Sequence, residues 1–93
     1  MAVTVKVKYT SIFREITRRA EEIIRMENPV ARELIAFLCR VYGRRFRELV
    51  IDPQSGEICL TGGVFISRNG YRLNMSDPIA DGDEITFLLA IHE

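Results

Sequence analysis

Two cysteines, one histidine and a run of arginines are the residues of this 93-residue chain with the most obvious chemical capacity. Cys39 and Cys59 sit in apolar settings with no CxxC pair, and His92 has no metal-ligand partner at a useful spacing. A zinc site or a Cys–His nucleophile needs such partners, so the two thiols read as buried and free. Arg44-Arg45-Phe46-Arg47, with Arg40 one helical turn before, is a basic cluster carrying one aromatic. That combination invites a nucleic-acid reading, but phosphate binding usually needs a broader stripe. The formal net charge is zero, which gives no global field toward nucleic acid or membrane. The cluster therefore reads as the solvated end of a helix, where cations suit the macrodipole. Neither a catalytic residue nor a metal or cofactor site is expected, and the chain does not read as an enzyme.

The elements that would position these residues follow from periodicity and turn chemistry. Ninety-three residues suit one domain with a single core. Val3, Val5, Val7 and Tyr9 alternate with Thr4, Lys6 and Lys8, which predicts a half-buried strand. Ser11 to Glu27 fits either one amphipathic helix or a short helix to about Ala20 followed by a strand over Glu22–Glu27. The first strand needs a neighbour for its backbone groups, which favours the break. Asn28 and Pro29 predict the cap and first turn of a central helix that runs to Tyr42 and stops at Gly43. Val30, Leu34, Phe37, Leu38 and Val41 form its apolar stripe. Between Glu48 and Gly63, a turn at Asp52–Gly56 lies in either a small hairpin or a short helix with an extended arm.

The last thirty residues are punctuated more sharply. Val64-Phe65-Ile66 predicts a strand, Asn69-Gly70 a hairpin turn, and Tyr71-Arg72-Leu73 the short returning strand. Asp81-Gly82-Asp83 then leads into a final strand, with Ile85, Phe87, Leu89 and Ile91 on one face and Thr86, Leu88, Ala90 and His92 on the other. The expected core is Val5, Val7, Ile24, Leu34, Leu38, Val41, Phe65, Ile85 and Phe87. No apolar run reaches the length of a membrane span and the N-terminus has no signal-type apolar stretch, so the expected location is the cytoplasm.

This order of elements resembles the α+β, β-grasp or ubiquitin-like fold, a mixed four- to five-stranded sheet packed on one main helix. Within it the sequence is similar to the MoaD/ThiS sulfur carriers, nearest the small subunit of molybdopterin synthase. The resemblance is carried by Tyr9-Thr10-Ser11-Ile12-Phe13-Arg14-Glu15 after the first strand, by Asn69-Gly70, and by Ile79-Ala80-Asp81-Gly82-Asp83-Glu84-Ile85. It implies that the first and last strands run side by side and parallel. It also implies partners: a protein of the molybdopterin-synthase large-subunit or activating-enzyme type, or a second copy of the chain. Carriers of this family end in Gly-Gly, whose terminal carboxylate is adenylated and converted to a thiocarboxylate. A narrow channel admits that tail because glycine is bare backbone. Here the corresponding stretch is Ala90-Ile91-His92-Glu93, with Glu93 about where the penultimate glycine would stand and one residue missing.

The expected function is thus that of a non-catalytic binding or regulatory relative of the carriers. Leu88, Ala90, Ile91, His92 and Glu93 are the candidate partner-binding residues. Two alternatives stay open: a genuine carrier with an atypical terminus, and a nucleic-acid-associated β-grasp module of the TGS type. The second would use Arg40, Arg44, Arg45 and Arg47 on phosphates. Nucleic acid and membrane are not the expected partners.

Overall fold

The computed structural model of the chain describes residues 2–58 and 64–89. Eight elements follow in order: β1 (Val3–Tyr9), α1 (Ser11–Thr17), β2 (Glu21–Met26), α2 (Ala31–Tyr42), α3 (Arg44–Val50), β3 (Val64–Arg68), β4 (Tyr71–Arg72) and β5 (Glu84–Leu89). The strands form one five-stranded sheet in the order β2-β1-β5-β3-β4. β1 and β5 are parallel neighbours, with Val7 opposite Ile85 and Tyr9 opposite Phe87, and every other pairing is antiparallel. This is the β-grasp arrangement, with the last strand central in the sheet.

The ambiguous stretch after β1 breaks as its pairing needs required. Arg18 adopts a left-handed conformation at the end of α1 (φ 61°), and its N–H closes on the carbonyl of Arg14. β2 then turns back along β1 with Ile24 opposite Val5. Ile24 and Met26 point into the core, as alternation requires. Helix α2 starts later than expected. Asn28 does not cap it; Val30 stands at the cap without a side-chain bond. Its first amides are satisfied from outside instead, Ala31 donating to the Asp77 carbonyl and Arg32 to that of Met75, both at 2.9 Å. Main-chain carbonyls from the approach to β5 thus do the work of a capping side chain.

Two core assignments are corrected. Val41 is 54% exposed, because α2 lays Ala31, Leu34, Ile35 and Leu38 on the sheet and turns Phe37 and Val41 to its flank. An apolar set that surrounds more than one helix face leaves the buried stripe undetermined from spacing alone. Phe65 lies on the other face of the sheet from the core; Val64 and Ile66 point inward instead. In a run of three apolar residues, only the register with β5, Ile66 opposite Phe87, selects the inner pair. The other seven, Val5, Val7, Ile24, Leu34, Leu38, Ile85 and Phe87, are buried.

A third helix occupies Arg44–Val50, after the break at Gly43 (φ 89°). It exists to bury Phe46, which has no exposed surface and packs its ring against Phe13, Tyr42 and Phe87 at 5.5–5.8 Å between centroids. Ile51 and Ile58 then bridge across the Asp52–Gly56 turn, so the hairpin reading holds at that pair, while the helix lies mostly before Glu48. Among the described residues no helix is long and apolar enough to cross a membrane.

Candidate docking surface

Each family-like motif has a physical task near β5. Thr10 does not cap α1 with its side chain. Its hydroxyl and its amide both donate to the Phe87 carbonyl, at 2.9 and 3.2 Å, and so hold the end of β5 against β1. At the other end of β5, the Asn69-Gly70 turn and the Asp81–Glu84 turn are one structure. Asn69 and Gly70 both have positive φ (51° and 91°), the pair that a tight hairpin turn demands. The Asn69 side chain donates to Asp83 Oδ1 at 2.9 Å and accepts from the Glu84 amide at 3.0 Å. Asp83 is buried and also accepts from the Ala80 amide at 2.8 Å. Asp81 Oδ1 accepts from the Thr4 amide at 2.8 Å, which joins the turn to β1.

With β5 fixed at both ends, its two faces are unambiguous. Ile85 and Phe87 have no exposed surface, whereas Glu84, Thr86 and Leu88 are partly exposed on the outer face. Leu88 is half-buried there and stands directly opposite Phe65 of β3. Phe65, expected in the core, is thus placed beside the one predicted docking residue that the structure describes. Ala90, Ile91, His92 and Glu93 lie outside the described residues, as does Cys59. The signal for Phe65 was present as period-two alternation, but it needed the β3–β5 register to be read.

The rest of the outer face is largely charged. Lys8 pairs with Glu84 at 3.2 Å and Lys6 with Glu21 at 3.4 Å, all substantially exposed. Such pairs contribute little to stability, but they leave the apolar Leu88–Phe65 pair bordered by charge. Ile23, 62% exposed on β2, lies across Lys6 on the same face. An apolar spot rimmed by charges is suited to a protein partner.

Groups that could do chemistry elsewhere are not poised for it. Tyr9 and Tyr42 both donate to Glu22 Oε2, the first at 2.5 Å, while Arg19 approaches the same carboxylate at 3.4 Å. Burial, then the bond to Glu22, pushes both phenols above the ordinary phenol range. They stay protonated donors and lock α2 to β1 and β2. The Cys39 thiol is pushed up by burial, which the Arg47 guanidinium opposes. A thiol so placed is a poor nucleophile. Among the described residues, no three His, Cys, Asp or Glu side chains are grouped to hold a metal. Arg44, Arg45 and Arg47 are exposed on α3, but their aromatic neighbour Phe46 is fully buried and offers no ring to a base.

No protein-family model matches the chain, and no curated protein matches it. Solved structures do. The putative molybdopterin converting factor, subunit 1, from Pyrococcus furiosus is 28% identical, with a TM-score of 0.77 over 96% of this chain and 99% of that one. Small archaeal modifier protein 1 from Methanosarcina acetivorans is 20% identical, with a TM-score of 0.77 over 100% and 98% of the two chains. The protein of that name from Haloferax volcanii is 15% identical, with a TM-score of 0.77 over 97% and 98%. All three match over nearly the whole length of both chains; the last two show the fold, and the first shows it at higher identity. Strand order, the linked Asn-Gly and Asp-Gly-Asp-Glu turns and these likenesses converge: the chain has the ubiquitin-like β-grasp fold and is similar to the MoaD-like proteins built on it.

Proposed function

We propose that this protein is a non-catalytic, partner-binding relative of the sulfur carriers. It docks through the outer face of the sheet around Leu88 and Phe65, and Ala90, Ile91, His92 and Glu93 take part in the contact. The observation that carries the reading is a carrier-type fold with Glu93 at the position where carriers have their penultimate glycine. A Cβ and a side-chain carboxylate there obstruct a channel shaped for bare backbone. The likeness to a molybdopterin converting factor subunit supports a partner of the molybdopterin-synthase large-subunit or activating-enzyme type.

The test is an intact-mass measurement after incubation with a MoaD-type activating enzyme, ATP and a sulfur source. The expected result is an unchanged mass. Replacement of one oxygen by one sulfur would show a working carrier with an atypical terminus and overturn the non-catalytic reading. Binding is tested separately: the wild-type chain should be retained by the activating enzyme or the synthase large subunit, and Leu88→Glu should not.

A further inference from the structure

The basic cluster that the docking surface leaves unused lines a groove on the opposite side of the molecule. Arg32 and Arg40, two helical turns apart, fall on one face of α2, and Gly43 at its end lets α3 fold back beside that face. Arg44 and Arg47 come from the facing side of α3, so that four guanidinium groups line a groove of about 1090 Å³. Arg45 is not among the lining residues. The floor is aliphatic, built from Ile35, Ala36, Ile51 and Met75. Two carboxylates, Glu48 and Asp52, also border it. Arg44 is paired with Glu48 at 3.7 Å, whereas Arg32, Arg40 and Arg47 have no carboxylate within 4.0 Å among the described residues.

We propose that this groove between α2 and α3 is a second docking site, which takes an acidic amphipathic segment of a partner protein. Carboxylates of the segment meet Arg32, Arg40 and Arg47, and its apolar side chains lie against Ala36 and Ile51, which are partly exposed in the groove. Guanidinium groups are the preferred cations for such contacts, because they bind carboxylates in a bidentate fork and are weakly hydrated. Single-stranded nucleic acid fits less well. It is held by stacking platforms as well as charge, and the aromatic of this cluster, Phe46, is wholly buried. Glu48 and Asp52 would also face its phosphates, and a chain of zero net charge supplies no long-range attraction. A carboxylate-bearing segment can place its few charges opposite the three free guanidinium groups and turn neutral residues to the two acids. The site is on the helical side, away from Leu88 and Phe65, and does not depend on the fate of the tail.

The probe is a fluorescein-labelled synthetic peptide of alternating Glu and Leu, with a Gln-for-Glu peptide as control, followed by fluorescence anisotropy. The acidic peptide is expected to bind and the Gln peptide not to, with affinity falling as salt rises. Arg40→Glu combined with Arg47→Glu should weaken binding by roughly tenfold or more, while Arg45→Glu, outside the groove, should stay within about twofold. Arg40→Gln with Arg47→Gln guards against a folding defect from charge reversal, since it removes the cations alone and should weaken binding in the same direction. Thermal melts of each variant establish that it is folded. The proposal is overturned if the acidic peptide does not bind, if Arg45→Glu weakens it as much as the groove variants, or if a short oligouridine or inorganic phosphate displaces it at lower concentration than unlabelled peptide does.

Discussion

Asp83 shows how much a single side chain can organise. Its carboxylate accepts from the Asn69 side chain and the Ala80 amide, and the Arg68 guanidinium stands 3.8 Å away. Two segments, Arg68–Asn69 and Ala80–Asp83, therefore meet at one buried carboxylate at the entrance to β5. Removing it leaves an amide and a side-chain donor without their partner, so Asp83→Ala should cost about 2–4 kcal/mol in denaturant melts. Asp83→Asn retains one acceptor oxygen and should cost clearly less; equal losses would mean that the hydrogen bonds are not what matters. Tyr9 gives a prediction of a different kind. Its phenol is raised by burial and by Glu22, so the folded state holds the proton more tightly than the unfolded chain. The stability this contributes is complete below the ordinary phenol pKa of about 10 and is lost as pH climbs above it. Wild-type stability should therefore fall more steeply above pH 10 than that of Tyr9→Phe, measured by urea melts across the alkaline range. Parallel curves would show that Tyr9 titrates alike in both states.

At the scale of elements, the strands were more legible than the helices. β1 announces itself by strict alternation, and the two turns around β5 carry residues that few other conformations require. α3 was not legible. Three of the four residues in Arg44–Arg47 are charged, and a seven-residue helix is too short for a period to emerge. What specifies it is the demand of a distant ring cluster for Phe46, which no local window contains. Its removal should therefore reach far beyond its own helix. Phe46→Ala empties the centre of the Phe13–Phe46–Phe87 group and should cost about 3–5 kcal/mol. A loss under about 1 kcal/mol in thermal or denaturant unfolding would mean that α3 is an appendage and not part of the core. The start of α2 was misread for a related reason. Asn28-Pro29 is a sound capping signal, but carbonyls of Met75 and Asp77, more than forty residues away in sequence, reach the first amides instead. The outward face of Leu88 was legible because β5 alternates cleanly. Phe65 was not, because its face is set by another strand.

For the whole molecule, the two-layer plan separates what the chain is built on from what it presents. One side of the sheet is sealed by α1, α2 and α3, and the other presents Leu88 and Phe65 beside the point where β5 leads into Ala90-Ile91-His92-Glu93. If residues 90–93 alone set this chain apart from the carriers, as proposed above, the proposed docking surface should still work. Replacing His92-Glu93 by Gly-Gly, with one or two spacer residues before them, should then restore measurable adenylation by a MoaD-type activating enzyme. Each added residue extends the tail by about 3.3–3.6 Å, so reach can be varied independently of the end group. Adding Leu88→Glu to the graft should abolish the gain while leaving the melting temperature close to that of the graft alone, because Leu88 lies outside the core. Pyrophosphate release measures the outcome directly. Activation that survives Leu88→Glu would place the docking surface elsewhere on the fold. A graft that is stable yet inert at every tail length would mean that the outer face has itself diverged from the carriers, with the β-grasp frame retained beneath it.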